Sequence, residues 1–386
     1  MDWPNTPIES QVDFVPPYCP RRSCPEHLRS TPGYRFHHWG SYSTLQQKDI
    51  PRFWCLTCKK TFSRQTFSTT YFLKRRAFLP AIAAGLVAGS AHRQIARSLE
   101  CAPTTVSRMA ARLGRHAMLL HARALDRLKG RVLEPFVLDH FETFEFTQDY
   151  PFGVATPVGA ESWFVYALDP VPHARTGKRT PAQRARIARR PVRPRRGGYV
   201  GSTKRTIDVL GKLPCSGQTL VFLGDGHPAY GRAVALHPDR ERISLRSFPN
   251  PKRGPKGTPR SPEAIARDEA MFPVDLLHKI LRHTGAHNRR ETIAFSRRLN
   301  AAMERLFLTA VWRNFVKRRS ERKPRRETPA SWLGLTEKPW SWRRLLHRRL
   351  FFDRQPMPGL WQELYRRGWE TPVLASNAVH DAVHTF

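Results

Sequence analysis

Asp139, Asp225 and Asp275 are widely spaced acids in a chain of formal charge +35, where 31 Asp and Glu stand against 66 Lys and Arg in 386 residues. With carboxylates this scarce, an acid at the end of an apolar run needs a reason. Pro135-Phe136-Val137-Leu138 runs into Asp139, and Leu220-Val221-Phe222-Leu223-Gly224 runs into Asp225. Each run predicts a buried strand that delivers one carboxylate to a sheet edge. Acids gathered in this way hold Mg2+ or Mn2+, and ions so held perform phosphoryl chemistry on nucleic acid. The plainer alternatives are a turn at Asp225-Gly226 and a strand-end cap at Asp139, with Glu142 or Glu145 as the ligand. His140 and His227 flank the acids and are placed to contact phosphate, water or the acids themselves.

A second constellation lies near the start of the chain. Cys55 and Cys58 are two residues apart in Trp54-Cys55-Leu56-Thr57-Cys58-Lys59-Lys60-Thr61-Phe62, and Cys19 and Cys24 form a wider pair. Two intervening residues allow a tight turn to present both sulfurs to one tetrahedral ion, so Cys19, Cys24, Cys55 and Cys58 predict a structural Zn2+ site. Four thiolates close the coordination shell, which argues against a catalytic zinc. The long gap between the pairs calls for an inserted hairpin or loop, and His27, His37 and His38 are alternative ligands. Cys101 and Cys215 have no partner in sequence and read as small core residues. Six cysteines in a chain of this size suit a reducing cytoplasm better than a disulfide scaffold.

Positioning these groups requires ordered elements. From Lys74 to about His121 the pattern is helical, with Phe78, Leu79, Ile82, Leu86 and Val87 on one face. Ser90 is the expected N-cap of a short second helix with Ile95, Ala96 and Leu99 inward, and Pro103 opens the next one. This is a helix-turn-helix arrangement, and it sets Thr104, Thr105, Ser107 and Arg108 where a recognition helix meets double-stranded DNA. A plain three-helix bundle is the alternative. Leu113, Met118, Leu119, Leu120, Leu125 and Leu128 continue as a linker helix or a dimer contact.

After Lys129-Gly130 the pattern becomes extended. Strands are expected over 137–146, 152–156 and 163–168, the last ending at Asp169. A helix follows near 202–213, then the strand into Asp225 and a fifth strand over 242–248. Three strands, a helix, a strand bearing a second acid, and helices beyond is an RNase H-like order, in which the first and fourth strands lie side by side. Pro273 can open a helix that carries Asp275 in its first turn, and a long helix is expected from about Arg297 to Phe315.

The order of these pieces resembles bacterial insertion-sequence transposases of the DDE/DDD class, in the group with an N-terminal zinc ribbon. The likeness rests on the Cys55–Cys58 pair with Lys60-Thr61-Phe62, the helix-turn-helix, and Asp225-Gly226-His227-Pro228-Ala229-Tyr230. Further on it rests on Arg290-Glu291-Thr292-Ile293-Ala294-Phe295-Ser296-Arg297, Trp312-Arg313-Asn314-Phe315, Thr328-Pro329-Ala330 and Gly334-Leu335-Thr336. It spans roughly Tyr18 to Trp342. The resemblance implies a third acid on a helix ahead of the Thr292–Ser296 run, which falls on Asp275. Many relatives have Glu there, and Glu291, Glu304, Asp268 and Glu269 are rivals. It also implies paired DNA ends held by a homo-oligomer, terminal inverted repeats as the recognised sequence, and end cleavage followed by strand transfer. A DNA-binding regulator with idle acids and a metal nuclease without strand transfer are the other classes.

Charge points the same way. A strongly basic chain with 40% hydrophobic and 11% aromatic residues is a folded protein whose first expected partner is nucleic acid. Three basic stretches surround the acids. The first holds Arg175, Lys178, Arg179, Arg184, Arg186, Arg189, Arg190, Arg193, Arg195 and Arg196 and is expected as a mobile loop. Lys252, Arg253 and Lys256 form the second, and Lys317-Arg318-Arg319 through Arg325-Arg326 the third. The expected organisation is a zinc ribbon over 1–70, a helix-turn-helix over 71–128, and an RNase H-like mixed-sheet catalytic domain over 129–320 with a basic insertion around 171–206. A Trp- and Arg-rich extension over 321–386 completes an α+β or α/β multidomain chain. No apolar run is long enough to span a bilayer and the start lacks a signal peptide, so a bacterial, nucleoid-associated cytoplasmic location without membrane contact is expected.

Overall fold

The computed structural model describes residues 14–29, 33–192, 196–251, 254–255, 257–289, 291–322, 327–371 and 373–374. Arg193, Arg195, Lys252, Arg253, Lys256, Arg290, Arg325 and Arg326 lie outside the described residues. The first unit is a three-stranded antiparallel sheet, β1 (Phe36–Thr44), β2 (Gln47–Cys55) and β3 (Thr61–Ser63). The β1–β2 hairpin fills the long gap between the cysteine pairs. Its small core joins Phe53, Phe62 and Phe67 to the four cysteines and to Phe351.

Three helices follow: α1 (Phe78–Val87), α2 (His92–Ser98) and α3 (Pro103–Leu128). The α2 N-cap is Ala91 rather than Ser90; the Gln94 side chain accepts the Ala91 N–H at 2.7 Å and supplies the end that a serine hydroxyl was expected to close. Gly85 of α1 faces Ile95, where a Cβ would stand 3.0 Å from the isoleucine side chain, so glycine sets this close crossing. The third helix runs unbroken from the turn into the middle of the molecule, and residues 109–122 are all buried. A helix buried on every side must satisfy its polar groups individually. Arg112 donates to the Thr69 and Tyr71 carbonyls, Arg115 to Glu304, His116 to the Leu345 carbonyl and His121 to the Tyr166 carbonyl. Leu113, Met118, Leu119, Leu120, Leu125 and Leu128 are therefore core residues of this chain.

Two further sheets start here: β4 (Phe136–Leu138) belongs to a four-stranded one and β5 (His140–Phe144), which follows Asp139, to a three-stranded one; β5 hairpins back as β6 (Pro151–Ala155), and β7 (Val158–Gly159) pairs antiparallel with β4. Then come β8 (Asp169–Pro172), antiparallel to β6, α4 (Pro181–Ala188), α5 (Gly198–Leu210) and β9 (Leu220–Gly224). α6 (Pro228–Ala235) leads to β10 (Ile243–Ser247). β9 pairs in parallel with both β4 and β10, in register Leu138↔Gly224 and Leu245↔Phe222. The chain is thus mixed α/β with a mixed sheet.

Two expectations change here. Residues 164–168 are buried and Trp163 half-buried, but the stretch is not a strand: Trp163 has φ +60°, and the Asn314 side chain takes both the N–H and the carbonyl of Val165 at 2.9 and 3.0 Å. The basic stretch after β8 is not a plain loop. Thr180 caps α4, Gly197 with φ +81° turns the chain into α5, and Asp149 collects Arg175, Arg186 and Arg190 at 2.8, 2.8 and 3.1 Å.

The remaining helices are α7 (Pro262–Thr284), α8 (Leu299–Phe315), α9 (Pro329–Trp332), α10 (Trp342–Leu345) and α11 (Gly359–Tyr365). α7 starts well before Pro273, because Ser261 caps it and Pro262 occupies its first turn; Pro273 lies inside, and Asp275 sits mid-helix instead of in the first turn. α3 and α8 cross where Gly114 meets Glu304, so closely that a Cβ would be 2.4 Å from that of Glu304. Glu304 is buried between Arg115 at 3.2 Å and Arg367 at 2.7 Å. One apolar cluster extends from Leu79 through both sheet and helices to Trp369. Trp361 packs on His121 and Phe307 and donates to the Leu168 carbonyl at 3.2 Å, so the C-terminal segment is part of this core. Each such large side chain, fully buried, contributes roughly 2–3 kcal/mol.

Candidate metal centres and nucleic-acid interface

Cys55 ends β2 and Cys58 lies in the following turn, where Lys59 takes φ +55° and returns its N–H to the Cys55 carbonyl at 3.0 Å. Cys19 and Cys24 sit in the segment before β1, with the Cys24 N–H on the Arg21 carbonyl at 3.0 Å. Cys19 and Cys58 sulfurs are 3.7 Å apart, Cys24 and Cys55 3.8 Å, and all four lie within 4.8 Å of one another. Sulfurs ~2.3 Å from a shared tetrahedral centre stand about 3.8 Å apart, so the spacing matches a metal such as zinc and excludes disulfides. Burial pushes Cys19 and Cys24 above the ordinary thiol range. Burial also raises Cys55, but N–H groups of Cys58 and Thr57 and the Tyr34 hydroxyl outweigh it and bring the thiol down to about 7. His27 is not part of the converging set, which is the four sulfurs alone; its Nδ1 donates to the Cys19 carbonyl at 2.8 Å and its Nε2 lies 3.8 Å from Asp353, while His37 and His38 are exposed on β1. Cys215, expected in the core, is exposed and donates to the Gly130 carbonyl.

The aspartates converge more loosely. Asp139 follows β4 and Asp225 follows β9, so the parallel register sets them beside each other at the ends of adjacent strands. Asp139 Oδ1 accepts from the His140 N–H at 2.7 Å and the Tyr230 hydroxyl at 3.4 Å. Burial raises the Asp139 carboxyl to about 7, and the charges of Asp225 and Asp275 add to this. Both therefore stand within electrostatic reach of Asp139, Asp275 arriving from α7. Among the described residues only the four cysteines bring three or more ligand atoms within 4.8 Å, so the aspartates are spaced more widely than a closed ion site. Asp225 also accepts the His227 N–H at 3.0 Å, a turn made possible by Gly226 at φ +84°. Asp275 is engaged by both terminal nitrogens of Arg267.

Most of the rival acids have other work. Glu145 is buried and receives the Leu299 N–H at the start of α8 and the Thr371 hydroxyl, at 2.9 and 2.6 Å. Glu304 belongs to the Arg115–Arg367 pairing, Asp268 pairs with Arg260 and Arg267, and Glu269 and Glu291 are exposed. Glu142 stays near the site; burial would raise it, but hydrogen bonds from His173 and Tyr199 hold it below the usual range. Three further residues that were not expected at the site reach the acids: Arg267, Tyr230 and His278. His278 was legible as the residue one turn after Asp275 on the same helix face. Its Nδ1 lies 3.6 Å from Asp139 Oδ2 and its Nε2 2.8 Å from the Thr156 hydroxyl. Burial lowers His140 to about 3 and His278 to about 4, so both rings are neutral at pH 7.

Beside the acids opens a groove of about 1590 Å3 lined by Asp275 and His278 and by Arg260, Lys279, Arg282 and Arg289. At the other end of the chain's helices, Thr104, Ser107 and Arg108 are exposed at the start of α3 and Thr105 is half-buried. His92 and Ser107 are joined at 2.9 Å, and Arg75, Arg93 and Arg97 line a cleft between α2 and α3. No described helix is long and apolar enough to cross a membrane. No protein-family model matches the chain, and no curated protein matches it.

Proposed function

We propose that the chain is a DNA transposase of the DDE/DDD class: a zinc ribbon and a helix-turn-helix joined to an RNase H-like catalytic fold. The observation that carries this reading is the parallel pairing of β4 with β9, which puts Asp139 and Asp225 side by side, with Asp275 brought into their field by α7. The donor set fits a divalent ion. Carboxylate oxygens are what Mg2+ and Mn2+ prefer, and a half-buried Asp139 that faces two further negative charges has no Arg or Lys at ion-pair distance among the described residues. Asp139 and Asp225 would hold the ion, with Asp275 the third ligand once released by Arg267. Bound there, divalent cations activate water or a 3′-OH and stabilise the leaving oxygen.

The chain's own residues do the rest. Arg260, Lys279, Arg282 and Arg289 grip the phosphate backbone along the groove. Thr104, Thr105, Ser107 and Arg108 read the DNA ends, with Arg75, Arg93 and Arg97 on adjacent phosphates. Homo-oligomers on paired ends belong to this reading. The Arg267–Asp275 pair favours one other reading, a DNA-binding regulator whose acids are idle. The deciding experiment is Mg2+- or Mn2+-dependent cleavage and joining on DNA that flanks the gene, with Asp225→Asn alongside. Nicking and joining lost in the variant supports the transposase; tight binding with no metal-dependent product from either protein supports the regulator, and nicking without joining a nuclease.

A further inference from the structure

The hydrogen bonds around His278 fix which of its ring nitrogens carries the proton. The Thr156 hydroxyl has one proton and donates it to the Asp139 backbone carbonyl at 2.9 Å, because a carbonyl can only accept. The same oxygen lies 2.8 Å from His278 Nε2, so that contact must be Nε2–H donating to Thr156. That leaves Nδ1 as the ring nitrogen without a hydrogen bond, and it faces Asp139 Oδ2 from 3.6 Å. That is too long for a hydrogen bond from a protonated carboxyl. A ring nitrogen and a carboxylate oxygen that face each other without a hydrogen bond leave the place between them for a cation. A cation bound ~2.0–2.2 Å from each donor fits such a pair without moving either side chain far.

The rest of the setting agrees. Asp275 and His278 stand one turn apart on α7, which puts a carboxylate and an imidazole on the same face of the helix. Phe141 meets the His278 ring edge-on at 5.3 Å and fixes its plane. The Thr156 hydroxyl orients a ring whose other nitrogen is free to bind, which is the usual support for a metal-ligating histidine.

We infer that His278 Nδ1 is a ligand of the divalent ion held by Asp139, so that the centre is a mixed carboxylate–imidazole site and not one of carboxylates alone. The inference rests on the proposed function for the ion itself and adds a nitrogen donor to it. Imidazole favours transition-metal ions over Mg2+, so the centre prefers Mn2+. Thr156 is a positioning residue that acts through the ring.

The test uses the full-length protein with its cysteine site filled with zinc and Mn2+ as the probe. Pulsed electron paramagnetic resonance of bound Mn2+ reads directly coupled nitrogen, and calorimetry reads affinity. Expected are a nitrogen coupling in wild type that is lost in His278→Gln, and Mn2+ binding weakened roughly tenfold or more in that variant. His278→Asp keeps binding without the nitrogen signal and moves the preference towards Mg2+. Thr156→Val weakens Mn2+ where Thr156→Ser does not, and His227→Gln, the control for the other nearby ring, keeps the coupling. Mn2+ bound in a manner that depends on Asp225 but without nitrogen coupling, or with a coupling that survives His278→Gln, overturns the role of His278 and leaves the proposed function intact. Mn2+ binding indifferent to Asp139→Asn and Asp225→Asn overturns both.

Discussion

The two candidate metal centres are opposites in construction. The cysteines are already at the spacing of a closed tetrahedral site, with sulfurs 3.7 and 3.8 Å apart, in a small sheet whose core has few apolar residues besides them. The aspartates stand on one large core and remain apart, with Asp275 held by Arg267 and Asp139 held partly neutral by burial. The cysteine ligands are drawn together in a unit with little other core, whereas the fold around the aspartates is complete without an ion, as the proposed function would require of a site that acts on a substrate. A preformed shell leaves no open position for chemistry, and a loose one does.

The comparison breaks first if the cysteine site turns out dispensable. Removing a metal held by the cysteines, by a chelator or by Cys55→Ser, should cost the β1–β3 unit most of its stability, since zinc sites contribute on the order of 10 kcal/mol in isolated zinc-binding peptides. Limited proteolysis should then cut within residues 33–67 while the α3–α8 core stays protected. Equal protection with and without zinc would mean that the aromatic cluster suffices alone. The carboxylate site should behave in reverse. Asp225→Asn should lower cleavage by on the order of 1000-fold, the several kcal/mol a metal ligand supplies, while the melting temperature stays near that of wild type.

A third test concerns pH. Asp139 has its folded pKa raised to about 7, so it disfavours folding once the unfolded chain has ionised. As pH rises from about 4 to 7, wild type should lose stability relative to Asp139→Asn, up to a ceiling of about 4 kcal/mol, and the difference should stay flat above 7. Denaturant titrations of the metal-free pair across that range would show it; a difference that does not change with pH would mean that the acids are better solvated than their burial implies. The smallest effect is at Arg267. Arg267→Gln releases Asp275 from a partly exposed pair, which should strengthen Mn2+ binding by about 1 kcal/mol or less, measured by calorimetry.

Much of this arrangement can be read from residue order alone. Pro135–Leu138 and Leu220–Gly224 are continuous apolar runs ending in acids, and both form strands, whose pairing is expected from the order of the elements rather than from the runs themselves. Cys55 and Cys58 carry their geometry in their spacing. The misreadings have a common cause: partners far away in sequence. Trp163–Leu168 has strand composition, yet Asn314 takes the hydrogen bonds of Val165. The arginines of 175–190 look like a solvated loop until Asp149 is seen to gather three of them. Pro273 looks like a helix start because Ser261 and Pro262, farther back, supply the real one. His278 is marked only by its place one turn after Asp275; its contact with Thr156, between β6 and β7, has no sign in the sequence.

α3 has one more consequence. It spans 26 residues without a break, about 39 Å, from the exposed face at Thr104 to the segment that leads into β4 and Asp139. Locked along its length by the core, it acts as a measuring rod between the surface that would read a sequence and the place where a bond would be cut. A rod of this kind fixes phase as well as distance. One residue inserted after Arg108 would lengthen it by about 1.5 Å and rotate its reading face by about 100°. The cut site would be mis-set not by a fraction of a base pair but by pointing the protein at another side of the duplex.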